Sequence, residues 1–234
     1  MSFDLQHIWE ASTPQTLTIL VMLFIMGIMA LYVAIERFVS LRKATEQSRE
    51  LAAALATPFK SGDVEAGAKL CKDERFKASY LGHLMRPALG ELATRFDRPG
   101  VDAAERALER ANTQEGLDLR KGMNILATVG STAPFVGLVG TIFGIINAFS
   151  AMAEAGGGGL GQVSAGIAEA LVATAVGIFV AIVGVWFYNY FNARIDRIDN
   201  DISVASQEFN DWCEKQLLAR SGDEPPTERV LATK

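Results

Sequence analysis

The chain has 234 residues, half of them hydrophobic, and a formal net charge of −5 at pH 7. So modest a charge favours neither nucleic acid nor an anionic surface as a partner. Two cysteines, Cys71 and Cys213, are too few for a disulfide framework or a zinc site. The high apolar share beside 21% charged residues indicates apolar segments that are separated from charged ones.

Three apolar segments predict membrane-spanning helices. Residues 17–35 are uncharged, and a helix of this length crosses roughly 30 Å of hydrocarbon. Residues 123–152 are uncharged throughout, and residues 167–192 are interrupted only by Glu169. We therefore predict an all-α membrane protein with three transmembrane helices over these ranges.

The basic residues predict the orientation. Residues 1–16 and the segment 153–166 contain no Lys or Arg, so all 22 basic residues lie between spans one and two or after span three. Because basic residues stay on the cytoplasmic side, we expect a periplasmic N-terminus at 1–16, a periplasmic loop at 153–166 and a cytoplasmic C-terminus. Both cysteines then lie in a reducing compartment, and we expect free thiols.

The segment between the first two spans is charged and has a helical pattern. Residues 36–122 predict a cytoplasmic helical domain, with a helical hairpin over about 63–95 that turns at "RFDRPG". After the proline-glycine break, Asp102 is the expected N-cap of the next helix. We expect that helix to continue into span two, with a joint at Gly122.

A cytoplasmic helix over 193–220 is predicted to continue span three. Its apolar residues recur at alternating steps of three and four, which is typical of a coiled-coil seam. The seam packs either against helices of the same chain or against another subunit, and both alternatives stay open. Residues 221–234 predict a disordered tail. The seam residues are Ile195, Ile198, Ile202, Ala205, Phe209 and Trp212.

Small residues follow one face of spans two and three. Small faces let helix backbones approach closely in lipid. We therefore expect these faces to pack, either within the chain or around a narrow partner as the lining of a pore. The residues assigned to packing or pore lining are Gly130, Pro134, Gly137, Gly144, Ala170, Gly177 and Ala181.

Three polar side chains are candidates for an ion pathway. At 1.5 Å per residue, Thr141 and Thr174 both lie roughly 10–16 Å below the outer surface. Their hydroxyls either line a polar path or bond their own helices. Glu169, the only acidic or basic side chain in any span, is either a helix-entry carboxylate or part of the path. An ion-driven mechanism therefore needs a carboxylate from another chain.

The segments "TVGSTAPFVGLVGTIFGIINAF" (128–149) and "GIAEALVATAVGIFVAIVGVWFYN" (166–189) resemble the two signature segments of the MotA/TolQ/ExbB proton-channel family, most closely its ExbB and TolQ branch. The resemblance implies a homopentamer in the bacterial inner membrane around a dimer of single-span ExbD- or TolR-like partners. It implies protons as the coupling ion, no cofactor, and a partner aspartate that takes up and releases them. The resulting work reaches a TonB- or TolA-like protein or gliding machinery.

The resemblance also implies roles for individual residues. Thr141 and Thr174 match the threonines that face the partner's aspartate. Glu169 matches the glutamate of the family's "IAEAL" motif, Pro134 matches its second-span proline, and Asn189 matches the asparagine that closes span three.

Two positions depart from the family pattern. Ala165 and Val183 stand where many relatives have proline, so we expect a straighter third span. The predicted function is a ring subunit of a motor driven by the proton-motive force, serving TonB-dependent import, Tol-type envelope maintenance or gliding. The alternative is a structural membrane scaffold without ion conduction. Because the spans contain no Ser/His, paired-Asp or metal-ligand set, we expect neither an enzyme nor a metal site.

Overall fold

The fold is that of a computed structural model, which describes residues 14–154 and 160–221. These residues form α-helices and one short 3-10 helix, without a strand, so the all-α prediction is confirmed for them. The predicted tail lies beyond Ser221, outside the described residues. The elements are α1 (Pro14–Ser61), α2 (Val64–Cys71), the 3-10 helix (Glu74–Phe76), α3 (Tyr80–Thr94), α4 (Arg98–Leu119), α5 (Met123–Glu154) and α6 (Leu160–Ser221).

The chain divides into two compact units. Among the described residues, the membrane unit contains 14–37, 122–154 and 160–191, and the polar unit contains 38–121 and 192–221. Among the described residues, three helical stretches are long and apolar enough to cross a membrane, and they fall on α1, on α4 with α5, and on α6. The three predicted spans fall on these helices. Both α5 and α6 extend into the segment predicted as a periplasmic loop, whose residues 155–159 are not among those described.

Gly122 separates α4 from α5. Its φ angle is +79°, which lies in the left-handed region that glycine adopts without strain and other residues rarely adopt. The predicted joint is therefore confirmed, and the chain forms two helices here rather than one. By contrast, α6 passes through Ala165 and Val183 as one unbroken helix.

The N-cap of α4 is Asp97, so the prediction of Asp102 was wrong. The Asp97 side chain accepts a hydrogen bond from the backbone N–H of Gly100 at 2.9 Å. Pro99 then occupies the first turn, where a helix needs no N–H donor. A Cβ at position 100 would collide with the carbonyl oxygen of Arg95. The proline-glycine pair therefore starts the helix instead of interrupting the chain before it.

The seam of α6 packs inside the polar unit. Ile195 is fully buried, and Ile202 and Phe209 are nearly so. The indole Nε1 of Trp212 donates to the carbonyl oxygen of Phe59 in α1 at 2.8 Å, and the two rings meet at 4.8 Å. Of the two alternatives, the structure therefore shows contact with helices of the same chain.

Two buried cysteines lie in the same unit. Cys71 ends α2 and Cys213 lies on α6, and both thiols are free, as predicted. Burial raises the pKa of Cys71 to about 11 and that of Cys213 to about 12. Because the thiolate is the reactive form of cysteine, both side chains act as small apolar packing groups.

His83 connects α3 to α4. Its Nδ1 lies 2.8 Å from Oε2 of the buried Glu115, and its Nε2 lies 2.8 Å from the carbonyl oxygen of Lys77. Both neighbours are hydrogen-bond acceptors, so the protonated ring with two N–H donors fits this position best. The hydrogen bond to Glu115 raises the pKa of His83, while partial burial opposes that shift.

We expect the change Gly122→Ala to lower the free energy of unfolding by about 1 kcal/mol or more, because alanine is strained at a positive φ. The matched control is Gly116→Ala in α4, where a Cβ meets no atom within 4 Å. That change should stabilise the protein by roughly 0.5–1 kcal/mol, since alanine is the better helix former. Thermal unfolding of both variants in detergent tests this, and equal effects would contradict it.

The charged His83 ring should make stability depend on pH. Because the pKa of His83 in the folded state lies above its ordinary 6.5, its stabilisation is fully present below 6.5 and is lost as the pH rises through the folded-state pKa. The change His83→Gln should therefore destabilise the protein more at about pH 6 than at about pH 8. Denaturant unfolding at both pH values measures this. Glu115→Gln should reduce the same pH dependence, and a loss that is independent of pH would rule the ion pair out.

Candidate functional site

Helices α5 and α6 touch along their small faces and run in opposite directions. A Cβ added to Gly184 would lie 3.0 Å from the backbone nitrogen of Gly130. At the other end of the pair, a Cβ added to Gly166 would lie 2.7 Å from the Cβ of Ala148. The two helices are therefore antiparallel and stay in register over 18 residues, so the contact covers most of both spans.

The two backbones come closest near the middle of the pair. A Cβ at Gly137 would lie 2.9 Å from the carbonyl oxygen of Ala173, and a Cβ at Gly177 would lie 2.6 Å from that of Ala133. A side chain at either position would force the helices apart. Glycine is therefore required here by the close approach of one helix backbone to the other.

This contact contains most of the residues that the sequence assigned to packing or pore lining. Packing within the chain, one of the two alternatives, is what the structure shows for them. A pore-lining role for these positions stays a prediction. The assigned residues that are buried in the contact are Gly130, Gly137, Gly144, Ala170 and Gly177.

Gly140 lies outside the small-residue face that the sequence assigned to α5, but it is also a packing residue. A Cβ there would lie 2.8 Å from the Cβ of Ala173 and 3.2 Å from Cγ2 of Ile19 in α1. Gly140 therefore marks the point where all three membrane helices meet. Its spacing of three residues from Gly137 could have indicated this, because residues three positions apart are neighbours on the surface of a helix.

The hydroxyls of Thr141 and Thr174 bond two consecutive carbonyl groups. Thr141 Oγ1 donates to the carbonyl oxygen of Leu138 in its own helix at 2.7 Å. Thr174 Oγ1 donates across the contact to the carbonyl oxygen of Gly137 at 2.9 Å. Since the two acceptors are adjacent in α5, both hydroxyls lie at one level of the helix pair. Both side chains are half-buried.

These two threonines can interact with a further group in two ways. A hydroxyl whose proton is engaged still accepts hydrogen bonds through its lone pairs. It can also rotate and donate to a stronger acceptor, such as an ionised carboxylate. The pair can therefore solvate a carboxyl group in either of its protonation states.

A shallow groove runs along α5 and α6 on the side away from α1. Val180 faces α1, where it lies 3.6 Å from a Cβ built on Gly27. Residues two positions away in a helix, here Ile178 and Ile182, lie on nearly the opposite side. The groove is lined by Pro134, Ile178, Ala181, Ile182, Val185, Trp186 and Asn189.

The threonine pair lies on the same side as this groove. Thr174 precedes Ile178 by four residues and Thr141 follows Pro134 by seven, and both spacings keep residues on one helix face. The structure thus brings Thr141, Thr174, Pro134 and the exposed Asn189 to one side of the helix pair.

Glu169 lies elsewhere. It precedes Thr174 by five residues, which is roughly 140° around the helix. It precedes Val180 by eleven residues, a spacing that places it on the side facing α1. Its Oε1 is buried and has no hydrogen-bond partner among the described residues. The structure therefore does not bring Glu169 together with the threonine pair. In the part of the chain described, no three His, Cys, Asp or Glu residues lie close enough to hold a metal ion.

Together these features define a helical membrane protein whose last two spans form a tight antiparallel pair with two threonine hydroxyls at one level. Residues 76–203, more than half of the chain, match the MotA/TolQ/ExbB proton channel family. The chain belongs to this family.

Individual relatives place the chain in the ExbB and TolQ branch. It is 39% identical over 137 residues to the Tol-Pal system protein TolQ of Pseudomonas aeruginosa, which covers 56% of this chain and 59% of the relative. It is 47% identical over 105 residues to the biopolymer transport protein ExbB of Xanthomonas campestris pv. campestris, which covers 42% of each chain. The ExbB protein of Pseudomonas putida is 34% identical over 183 residues, which cover 78% of this chain and 54% of the relative. The matches thus span from 42% to 59% of the relatives' lengths.

The change Gly137→Ala should weaken the contact between α5 and α6, because its Cβ would lie 2.9 Å from a backbone oxygen. Overpacking of this kind lowers stability by about 1–3 kcal/mol. The control is Gly161→Ala near the start of α6, where a Cβ meets no atom within 4 Å. Thermal unfolding in detergent compares the two variants. Equal midpoints would show that the backbones do not touch at Gly137.

Proposed function

We propose that this chain is the ring subunit of a proton-driven motor in the bacterial inner membrane. Five copies surround a dimer of single-span, ExbD- or TolR-like partners, with the N-terminus of each copy in the periplasm and its C-terminus in the cytoplasm. Proton flow then does mechanical work on the cell envelope through a TonB- or TolA-like protein or gliding machinery. The observation that supports the proposal most strongly is that the hydroxyls of Thr141 and Thr174 lie at the same level of the α5–α6 pair.

The position of the only intramembrane carboxylate supports a partner that supplies the acid. Within the three spans, Glu169 is the single acidic or basic residue in the sequence. By helix geometry it lies on the side facing α1, away from Thr174. A proton carrier at the level of the threonines must therefore come from another polypeptide, as a slim helix with one aspartate would provide.

The hydrogen bonds suggest how the pair responds to such an aspartate. When the carboxyl is protonated, its O–H donates to a threonine oxygen, and Thr174 keeps its bond to the Gly137 carbonyl. When the carboxyl is ionised, the Thr174 hydroxyl turns from that carbonyl to the stronger, charged acceptor. Each protonation state thus has its own hydrogen-bond arrangement, and neither leaves the carboxyl unsolvated.

The proposed orientation rests on the basic residues. No Lys or Arg occurs in residues 1–16 or 153–166, which are the segments assigned to the periplasm. In the polar unit, Arg120 pairs with Asp199 at 2.6 Å and with Asp196 at 3.4 Å. This ion pair joins the segment between spans one and two to the segment after span three. These two segments contain all the basic residues, as expected for the cytoplasmic side of the membrane.

The double change Thr141→Val with Thr174→Val should abolish most proton uptake. Losing hydrogen bonds to a charged group, worth roughly 1.5–3 kcal/mol each, corresponds to about a tenfold or larger loss in rate. The assay is potential-driven proton uptake into vesicles that contain the full chain and its single-span partner. Thr128→Val is the matched control, since Thr128 is an exposed threonine of α5 that bonds its own helix at 2.8 Å.

Unchanged uptake in the double variant, with the chain folded and the partner bound, would remove the threonine pair from the path. A structural scaffold without conduction is the second candidate, because contact within the chain already accounts for the glycines of α5 and α6. A scaffold predicts no proton uptake by the unchanged protein and no partner helix inside the ring.

A further inference from the structure

An apolar groove lies between α1 and α6, on the side of the membrane unit away from the threonine pair. Its walls include Leu20, Phe24 and Leu31 of α1 and Val176 and Val180 of α6, and its volume is about 490 Å³. Every residue that lines it is apolar. It takes no part in the function proposed above, and what binds in it does not depend on that function.

The groove exists because α1 packs loosely on α6. At Gly27, a Cβ would lie 3.6 Å from Val180, which is an ordinary van der Waals contact. The corresponding distances between α5 and α6 are as short as 2.6 Å. The backbones of α5 and α6 are thus in contact, whereas α1 and α6 leave an open channel between them.

The shape of the rim argues against another helix as the occupant. Helices pack in lipid through small residues that let their backbones approach. Here Gly27 is the only small residue in the lining, and the rim carries large exposed side chains. Phe24 is 68% exposed, Ile28 51% and Leu31 48%. A narrow, flexible chain passes between such side chains, whereas a second helix would be held away by them.

The dimensions fit an alkyl chain. From Leu20 to Leu31, α1 rises by roughly 16 Å, about half of the hydrocarbon thickness of a bilayer. An apolar cavity of about 150 Å³ binds benzene, so the groove has room for a ligand about three times as large. We propose that this groove is a binding site for one acyl chain of a membrane phospholipid, which lies along α1 over Gly27.

The test uses a phospholipid that carries a photoactivatable diazirine in the middle of one acyl chain. The full chain is reconstituted in vesicles with a small fraction of this lipid, irradiated, and mapped by mass spectrometry. Adducts at the residues that line the groove should exceed severalfold those at exposed residues on the opposite side of α1. Met22 and Met29, which are 53% and 43% exposed and do not line the groove, provide that internal reference.

Two substitutions make the test specific. The change Gly27→Leu fills the floor of the groove and should reduce the adducts there severalfold, while favouring the helical state of α1. Gly161→Leu, at an exposed position near the start of α6 where a Cβ meets no atom within 4 Å, adds the same side chain outside the groove and should leave the adducts unchanged. Circular dichroism confirms that both variants fold.

Three outcomes would overturn the proposal. Equal labelling of the groove residues and of Met22 and Met29 would show that the groove meets only bulk lipid. Unchanged labelling in Gly27→Leu would show that the chain does not lie over Gly27. A groove that resists labelling and cross-links to a second copy would show that a helix occupies it. None of these results depends on proton flow, so each is distinguishable from failure of the proposed function.

Discussion

The membrane unit depends on the backbone contact between α5 and α6. Moving an apolar side chain from lipid to a helix–helix contact gains little free energy, because both surroundings are apolar. Helices in a membrane therefore associate where their atoms can pack most closely. The glycines at 137 and 177 remove the side chains that would prevent this. Their contact fixes the vertical register of the two spans. Without that register, the hydroxyl of Thr174 would not meet the carbonyl of Gly137, and Thr141 and Thr174 would not share one level.

The same contact divides the surface of the membrane unit. Packing occupies the small faces and leaves two other sides of the helix pair. On one side lie the threonines and the groove that ends at Asn189. On the other side lie Glu169 and α1, which exposes many large apolar side chains. In the proposed function the partner helix lies on the first side, and the proposed acyl chain lies on the second.

Much of this fold follows from local sequence rules. The long apolar segments alone predict the three spans. Gly122 marks the joint between α4 and α5 because few residues other than glycine tolerate its φ angle. The cap of α4 was misassigned because Asp102 has Glu105 three residues later, the spacing of a capping box, whereas Asp97 has Gly100 there. The choice depends on the fit of Gly100 against the carbonyl of Arg95, a contact that no spacing rule contains. The seam of α6 was ambiguous for the same reason, since periodicity shows an apolar face but not its partner.

The candidate site was accessible to sequence reasoning only in part. Counting residues placed Thr141 and Thr174 at similar depths, but the acceptor of Thr174 lies in another helix and depends on register. That acceptor has a further consequence. A ligand that takes the Thr174 hydroxyl removes one link between α5 and α6, so ligand charge and helix spacing are thermodynamically linked. Linkage is reciprocal: if an ionised acid loosens the pair, then mechanical separation of the pair makes that acid easier to ionise.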